Sequence, residues 1–463
     1  MTLDEQIDLY GSDIITSTRE LVRIPSVQGA PLDMAPFGTD VNNALEYMLN
    51  LSQDLAFNAV NLDGYAGYAE YGTGEEYIAV LGHLDVVPQG DGWDYPPFGA
   101  EIHEGKIYGR GTVDDKSPLI SSLYGLKAIK ELGIPLKRKV RIIFGTNEET
   151  GCKDMPRYNS TEKPPVYGFT PDGHYPVVFA EKGITVFDVV KNISMDGSLI
   201  KRLKGGHYAN MVPSCAEAEI ESDNIKDLYE KCISFSQKEG LKLVPELRDG
   251  KLIIISHGVS AHGSTPELGK NAVMQLFKFI DENVQGSDEV SRLIHFFNQN
   301  VAFDTEGRKL GINLYDEVSG NLSFNIGAVD ISENNFVMKL NVRYPIKSKL
   351  EHWMEPLAEK LKTAGLRIEN LWHKHPLYFP KEHPLITTLQ RVYKEETGLT
   401  PELLSIGMGT YAKEIPNIVA FGPILPGRLD LDHKANENIA IDDLILNTKI
   451  YAKAIMELAN LES

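Results

Sequence analysis

The spacing of apolar residues predicts alternating helices and strands in the first part of the chain. Apolar side chains at Ile7, Ile14 and Leu21 share one face of a helix, and a second helical pattern covers 41–55. Three apolar runs with the length of buried strands follow at 76–82, 139–145 and 177–180. A helical run at 118–132 separates the first two of them. This alternation predicts an α/β fold with a central, mostly parallel sheet flanked by helices.

From about residue 184 the pattern becomes that of an α+β region. Strand patterns occur at 184–190, 252–256, 322–329 and 336–343, and helical patterns at 269–283 and 350–361. This region spans about 195 residues and ends near Tyr378. A helix at 384–396, a strand at 417–421 and a helix at 439–460 follow. We therefore expect a discontinuous α/β domain, residues 1–183 and 379–463, into which an α+β domain, residues 184–378, is inserted.

Composition and charge narrow the range of partners. The 463 residues are 42% hydrophobic and 24% charged, which is typical of a globular protein. Because 65 acidic residues face 46 basic ones, the net charge is −19. This charge argues against nucleic acid or an anionic membrane as a partner, since neither would be attracted. A local cationic site could still bind an acidic small molecule.

Cysteine use and the N-terminal residues favour the cytoplasm. The three cysteines, Cys152, Cys215 and Cys232, have no C-x-x-C spacing, so a reducing compartment is favoured over a disulfide framework. The first six residues lack the basic start and apolar core of a signal peptide. No apolar run approaches the roughly 20 residues that span a bilayer. We therefore expect a cytoplasmic protein without membrane association.

The strand predicted at 76–82 ends in the segment Gly82-His83-Leu84-Asp85. The period of two in a strand places His83 and Asp85 on the same side. A histidine whose second ring nitrogen is held by a carboxylate is typical of a metal ligand. On its own, however, such a pair is more often a hydrogen-bonded histidine at a strand end.

Further acidic residues and a histidine occur in the same context, after strands or in turns. They are Asp114-Asp115 before a helix, Glu148-Glu149 after the strand at 139–145, Asp172 in a Pro-Asp-Gly turn and His433 in a polar loop. Each alone is more typical of a helix cap, a solvated loop or a turn. Their order along the chain is the informative feature, because ligands of α/β sheets bind at the carboxyl ends of the strands.

This ordered set resembles that of the co-catalytic zinc peptidases and deacylases, which include carboxypeptidase G, aminoacylase, carnosinase and peptidase V. The chain is most similar to the bacterial peptidase V-like dipeptidases, and the similarity extends from the segment 21–27 to His433. It implies that 1–183 and 379–463 form a catalytic domain with a dinuclear metal site. The segment 184–378 would then be a lid domain, of about twice the size found in simpler members.

The resemblance also implies a metal-ligand set. Asp114 would bridge two divalent metal ions; His83 and Asp172 would complete one site, and Glu149 and His433 the other. Because these ligands offer nitrogen and oxygen without thiolate, zinc is favoured, while manganese and cobalt also fit.

Two more residues of the same domain receive roles from the resemblance. A water that bridges the metals would attack the substrate amide, with Glu148 as the general base. Asp85 would orient His83 rather than bind metal. The resemblance also suggests a cis peptide bond between Asp114 and Asp115.

Substrate-binding residues are implied in the lid and in a C-terminal loop. His262, in Ser260-Ala261-His262-Gly263, would stabilise the oxyanion of the tetrahedral intermediate. Arg343 would bind the terminal carboxylate of the substrate, and Asn210 would help to bind it. Gly409 and Thr410 belong to a loop that would line the substrate end of the site. Without the resemblance, Asn210 would be interpreted as a turn residue and Arg343 as half of a salt bridge.

The chain departs from the family pattern at a few positions. Ser117 follows Asp-Asp-Lys where glycine is usual, and His174 replaces a common acidic residue. Met408 and Lys413 stand in the C-terminal loop where relatives commonly have glycine and arginine. We expect the two departures in the loop to change specificity or rate and to leave the metal ligands intact. Ser117 is acceptable in the first turn of a helix. His174 could act as an adventitious ligand, but we expect it to be exposed or to support the site indirectly.

These observations predict a metal-dependent dipeptidase that hydrolyses short unblocked peptides. An N-acyl amino-acid deacylase or desuccinylase that uses the same metals is the alternative among hydrolases. A non-catalytic peptide- or metal-binding protein is the alternative of another class, and the presence of Glu148 argues against it. Because the enlarged lid would replace a partner subunit, we expect a monomer.

Overall fold

The structure is a computed structural model that describes residues 1–462, and these residues form two compact units. The first unit comprises residues 1–179, 379–404 and 409–462, and the second comprises 180–378 and 405–408. Among the described residues, no helix combines the length and the apolar character needed to cross a membrane.

The described residues contain eleven α-helices, two 3₁₀ turns and twenty-two strands. The helices are α1 (Leu3–Leu9), α2 (Gly11–Val22), α3 (Thr39–Asp54), α4 (Lys116–Glu131), α5 (Met155–Thr161), α6 (Ile225–Glu239), α7 (Ala272–Asn283), α8 (Glu289–Asn300), α9 (Glu351–Lys362), α10 (Pro384–Thr397) and α11 (Ile441–Asn460). The 3₁₀ turns are Pro266–Leu268 and Tyr411–Lys413. The strands are β1 (Asn58–Leu62), β2 (Ala66–Tyr71), β3 (Tyr77–His83), β4 (Glu101–His103), β5 (Lys106–Tyr108), β6 (Lys139–Gly145), β7 (Tyr167–Thr170), β8 (Val177–Glu181), β9 (Gly183–Asn192), β10 (Ile200–Gly205), β11 (Cys215–Ile220), β12 (Leu243–Arg248), β13 (Lys251–His257), β14 (Tyr315–Asp316), β15 (Gly320–Asn321), β16 (Ser323–Ser332), β17 (Asn335–Tyr344), β18 (Arg367–Lys374), β19 (Leu377–Tyr378), β20 (Leu403–Ile406), β21 (Ile418–Ala420) and β22 (Asn438–Ala440).

A mixed sheet forms the centre of the first unit, with the strand order β1-β2-β6-β3-β7-β21-β8. The four middle strands, β6, β3, β7 and β21, run parallel to one another. The strands beyond them pair antiparallel. The predicted α/β fold class is therefore confirmed, with parallel pairing confined to the middle of the sheet. The carboxyl ends of the four middle strands lie at one edge, where ligands of such sheets bind.

Apolar packing on both faces explains the continuous apolar runs in the middle strands. All seven residues of β3 are buried, as expected for a strand covered on both faces. Helices α4 and α11 pack closely together at Gly125 and Ala452. The approach is so close that a Cβ atom added to Gly125 would lie only 3.1 Å from the Cβ of Ala452. This contact is tighter than most Cβ contacts in proteins, so glycine favours the close packing of the two helices.

The second unit is built on an antiparallel sheet of eight strands in the order β12-β13-β11-β10-β16-β17-β9-β18. Its core combines residues of this sheet with residues of α6, α7, α8 and α9, such as Phe277 and Trp353. This agrees with the α+β pattern predicted from about residue 184. Helices α6 and α8 and, within the eight-stranded sheet, strands β10, β11, β12 and β18 are additions to the predicted elements.

A small sheet in the first unit connects two distant parts of the chain. Strand β22 pairs antiparallel with β5, which also pairs with β4. Since β5 leads into the turn at 109–114 and β22 follows His433, this pairing brings two of the predicted ligand segments together.

Candidate metal centre

His83 is the last residue of β3 and is fully buried. Its Nδ1 lies 2.9 Å from the backbone carbonyl oxygen of Asp85. Since a carbonyl can only accept, Nδ1 donates to it, which leaves Nε2 as the ring nitrogen that faces Asp114 and could bind a metal. Nε2 lies 2.8 Å from Oδ1 of Asp114. The backbone therefore fixes the tautomer that a metal ligand needs.

Asp114 lies between two histidines and uses a different oxygen toward each. Oδ1 faces His83, and Oδ2 lies 3.1 Å from Nε2 of His433. The same His433 nitrogen lies 3.0 Å from a carboxylate oxygen of Glu149. Ligand atoms of His83, Asp114 and Glu149 all lie within 4.8 Å of one another. A carboxylate with one oxygen toward each of two ligand groups is suited to bridging two cations, so these side chains fit divalent metal ions.

Asp85 holds the turn that follows β6. Its two carboxylate oxygens accept the backbone N–H groups of Glu148 and Glu149 at 3.0 and 3.1 Å. They lie farther from His83, with Oδ1 3.6 Å from its Nδ1. The structure thus gives Asp85 a role that the sequence did not reveal. Its carbonyl contacts His83, while its carboxylate fixes the Glu148–Glu149 backbone.

Asp172 lies just beyond β7, at the same edge of the sheet. Its Oδ2 accepts the backbone N–H of Tyr411 at 3.4 Å. Burial and the Asp114 carboxylate raise the pKa of Asp172 to about 6. The group of ligand atoms within 4.8 Å of one another comprises His83, Asp114 and Glu149, and does not include Asp172 or His433. The carboxylate of Asp172 is nevertheless close enough to that of Asp114 for their negative charges to repel.

The neighbouring carboxylates have perturbed proton affinities. Burial, together with the charge of Asp172, raises the pKa of Glu148 well above its usual range. Burial and the charge of Asp114 raise the pKa of Glu149 to about 7. Such shifts mark carboxylates that are crowded together away from water, and bound cations would relieve their repulsion.

For Asp114 the shift is in the opposite direction, because two histidines lower the pKa of its carboxyl group. Burial opposes its ionisation, but hydrogen bonds with His433 and His83 hold the pKa of Asp114 well below its usual range. Burial likewise lowers the pKa of His433, yet hydrogen bonds with Asp114 and Glu149 raise it to about 11. Asp114 is therefore the charged carboxylate at the centre of the group.

Glu437 is a site residue that the sequence analysis missed. It is fully buried, and its Oε2 accepts from Nη1 of Arg110 at 2.6 Å and from the N–H of Gly111 at 3.0 Å. Its Oε1 accepts the N–H groups of Val113 and Asp114 at 2.8 and 3.3 Å. Glu437 thus shapes the turn that presents Asp114. Its position four residues after His433 was the available signal.

The predicted C-terminal loop residues, Gly409 and Thr410, directly precede Tyr411, whose backbone N–H donates to Asp172. Gly409 is exposed, and Thr410 is buried. The hydroxyl of Thr410 accepts the N–H of Ala412 at 3.2 Å and so caps the 3₁₀ turn Tyr411–Lys413. Thr410 therefore has a structural contact in addition to its predicted role in substrate binding.

Two departures from the family pattern have clear local contacts. The Ser117 hydroxyl donates to the backbone carbonyl of Thr112 and is buried. The Nε2 of His174 lies 3.5 Å from a carboxylate oxygen of Asp430.

The peptide bond between Asp114 and Asp115 is cis, as the resemblance suggested.

The second unit brings together its three predicted residues. The carbonyl of Asn210 accepts the N–H of Gly263 at 2.7 Å, and Met211 forms a β-bridge with His262. Gly263 also lies against Asn341, because a Cβ atom added to Gly263 would be 2.7 Å from its Oδ1. The same Oδ1 accepts from Nε of Arg343 at 2.9 Å. Asn210, His262 and Arg343 therefore belong to one cluster within this unit.

Comparisons with known proteins give a consistent result. The sequence signature of peptidase family M20/M25/M40 matches residues 79–457. The chain is 36% identical over 455 residues to "Putative dipeptidase YtjP" of Bacillus subtilis (strain 168), covering 96% of this chain and 97% of that protein. It is 35% identical over 469 residues to a "Putative dipeptidase" of Staphylococcus epidermidis (strain ATCC 12228 / FDA PCI 1200), covering 98% of each.

Solved structures with the same fold include two named as dipeptidases. Di-peptidase Dug1p from Saccharomyces cerevisiae matches with a TM-score of 0.61 and 17% identity, over 100% of this chain and 98% of that one. Human carnosine dipeptidase 1 matches with a TM-score of 0.58 and 16% identity, over 99% of each chain. At these identities the structural similarity shows a shared fold.

Proposed function

Because this chain belongs to peptidase family M20/M25/M40 and is a peptide hydrolase, we propose that it is a metal-dependent dipeptidase acting on short unblocked peptides. The observation that carries the proposal is the position of Asp114. One of its oxygens faces His83, and the other faces His433, which also contacts Glu149. This arrangement supports two metal positions that share one carboxylate.

The proposed metal content is two divalent ions per chain, with zinc favoured and manganese or cobalt also suitable. His83, Asp114 and Asp172 would hold one ion, and Asp114, Glu149 and His433 the other. Divalent ions bound there would polarise the scissile carbonyl and lower the pKa of a water molecule. With no cysteine among the proposed ligands, the donor set fits these metals.

Glu148 is the proposed general base. Asp85 fixes its backbone N–H, and Glu149, its neighbour, faces His433. Burial and the charge of Asp172 raise the pKa of Glu148, which favours uptake of a proton from an attacking water. Glu148 would then pass this proton to the leaving amine.

Arg343 supports recognition of a substrate carboxylate. It is only 5% exposed, and its hydrogen bonds go to neutral oxygens, Oδ1 of Asn341 and the carbonyl of Gly407. No carboxylate of residues 1–462 forms an ion pair with it, and burial lowers its pKa to about 10. A buried guanidinium without a counter-ion suits the free carboxylate of a peptide, which its planar fork can bind with two hydrogen bonds.

His262 has the hydrogen-bonding state expected of an oxyanion donor. Its Nδ1 accepts the N–H of Ser264 at 3.3 Å and lies 2.7 Å from the hydroxyl of the same residue. Because Nδ1 accepts, the neutral ring carries its proton on Nε2, which can donate to a developing oxyanion. Asn210, whose carbonyl holds Gly263, would help to bind the substrate.

A deacylase or desuccinylase would use the same catalytic groups, since it also cleaves an amide. The relatives named as dipeptidases favour the peptide substrate. A non-catalytic binding protein would have no need of a buried Glu148 held in place by Asp85.

The test combines a substrate panel with a substitution of the base. The purified protein is stripped with a chelator, reloaded with zinc, manganese or cobalt, and assayed on dipeptides and N-acyl amino acids. We expect dipeptide hydrolysis, and loss of about 1,000-fold or more in kcat for Glu148→Gln with the metal content unchanged. Glu382→Gln, at an exposed position of the same unit, is the matched control.

Three results would contradict the proposal. Absence of turnover with every metal would reject the enzyme. Hydrolysis of N-acyl amino acids alone would establish the deacylase. Full activity of Glu148→Gln would reject its role as the base.

A further inference from the structure

Tyr411 is a fully buried tyrosine that contacts several ligand-bearing segments of the first unit. Its hydroxyl donates to Oδ2 of Asp154. The same oxygen accepts the backbone N–H groups of Thr146 and Asn147 at 2.7 and 3.1 Å. These two residues directly precede Glu148. Asp154 therefore fixes the start of the turn that carries Glu148, and the Tyr411 hydroxyl in turn fixes Asp154.

The other atoms of Tyr411 are equally close to the site. Its backbone N–H donates to Asp172 at 3.4 Å. Its ring lies edge-on to that of His83, with centroids 6.1 Å apart and planes at 81°. A Cβ atom added to Gly145 would lie 2.0 Å from the Tyr411 hydroxyl oxygen, so the last residue of β6 must be glycine for the ring to fit. The Tyr411 side chain thus lies against the ends of β3 and β6, and its backbone N–H binds Asp172, just beyond β7.

We propose that Tyr411 is a positioning residue for the hydrolytic reaction. Through Asp154 it fixes the backbone of Thr146 and Asn147, and thereby the direction in which Glu148 leaves the sheet. The inference rests on the proposed function, in which Glu148 is the base. A base must lie within hydrogen-bond reach of the water it activates, so a small displacement of this turn slows proton transfer.

The geometry separates this role from metal binding. The hydroxyl of Tyr411 contacts Asp154, which is not a proposed ligand, whereas the link to Asp172 comes from the backbone N–H. Replacing the tyrosine with phenylalanine removes the first contact and keeps the second. The expected effect is therefore on kcat and not on metal content.

The test compares Tyr411→Phe with Tyr393→Phe. Tyr393 is also fully buried in the first unit, but its hydroxyl makes no hydrogen bond with Asp154 or with any proposed metal ligand. For Tyr411→Phe we expect kcat on a dipeptide to fall about tenfold or more, with KM within about twofold of the wild-type value. Metal content by mass spectrometry should not change. Tyr393→Phe should keep the wild-type kcat.

A double-mutant cycle tests the route through Asp154. If Tyr411 acts through that carboxylate, adding Tyr411→Phe to Asp154→Asn should lower kcat by no more than about twofold. Independent, multiplying effects would overturn the proposal. If Asp154→Asn does not fold, hydrogen exchange of the Thr146 and Asn147 amides in Tyr411→Phe replaces it. Faster exchange supports the proposal, and unchanged exchange overturns it.

Two further outcomes decide the matter. A Tyr411→Phe variant with kcat within about twofold of wild type would overturn the proposal. So would a loss of activity that added metal restores, because the hydroxyl would then act on metal occupancy. The Glu148→Gln assay separates this result from a failure of the proposed function, since it reports on the base without altering Tyr411.

Discussion

At the scale of single residues, Glu437 shows how a buried charge can organise a site without binding a ligand. Its carboxylate is paired with Arg110 and accepts backbone N–H groups of the turn that ends at Asp114. Because every one of these partners is a donor, a neutral amide in place of the carboxylate would face N–H groups with its own NH₂. The turn would then lose both charge balance and hydrogen bonds.

We therefore predict that Glu437→Gln weakens metal binding and stability together. Breaking a buried ion pair typically costs about 3 kcal/mol or more of unfolding free energy. Loss of an indirect support of a metal ligand typically reduces metal affinity about 10- to 100-fold. Denaturant unfolding and metal titration measure these two quantities.

Glu101→Gln is the control for Glu437→Gln. Glu101 pairs with His103 within strand β4, and both side chains are partly exposed. Removing such a pair should change stability by less than about 1 kcal/mol. Equal effects of the two substitutions would show that Glu437 is not the support of the Asp114 turn.

Single residues also show which parts of the site were predictable from the sequence. His83 and Asp114 could be selected because each follows a recognisable element, and their order matched a known pattern. The bonds from Glu148 and Glu149 to the Asp85 carboxylate could not be predicted. They depend on β3 and β6 lying side by side, which is a property of the folded sheet.

At the scale of elements, β3 and β6 were predictable because both are buried on both faces. The residues of β3 are all buried, and all but the first of β6 are, so each forms one uninterrupted apolar run. Strand β18 was missed because most of its residues are exposed, which leaves neither an apolar run nor a regular alternation. Pairing with β9 defines this strand, and pairing cannot be read from local sequence.

Two elements of the second unit lead to a prediction for cysteine reactivity. Cys215 begins β11 and is exposed, whereas Cys232 lies on the buried face of α6. Burial raises the pKa of the Cys232 thiol to about 12, so almost none of it is thiolate at neutral pH. Cys152, in the first unit, is also buried.

We expect one fast-reacting thiol in the native protein and three in denaturant. Labelling with an aromatic disulfide reagent, followed by peptide mapping, would measure this. The Cys215→Ser variant should lose the fast reaction, because the remaining thiols are shielded. Rapid native labelling of Cys232 would contradict the placement of α6.

At the scale of the whole molecule, the proposed site draws on residues separated by 350 positions of the sequence, from His83 to His433. Residues that are far apart in sequence meet because the parallel strands end at one edge and because β22 pairs with β5. This explains why the order of the motifs was informative while each motif alone was not.

The edges of the eight-stranded sheet bear on the predicted monomer. An open sheet edge invites pairing with another chain unless its hydrogen bonding is interrupted. The edge strand β12 contains Pro245, which has no N–H to donate. The opposite edge strand, β18, has a register irregularity between Glu369 and Trp372, and Asn370 within it has a φ of 53°. Both edges are therefore poorly suited to extending the sheet into a second copy.

We predict that the protein is a monomer in solution, with the mass of 51.5 kDa expected for one chain. Light scattering after size-exclusion chromatography, over a wide range of protein concentration, measures this directly. Dipeptidase activity per chain should also stay constant on dilution, because no neighbouring subunit would be needed to complete the site. A mass that doubles with concentration, accompanied by activity lost on dilution, would show that a partner copy supplies part of the site.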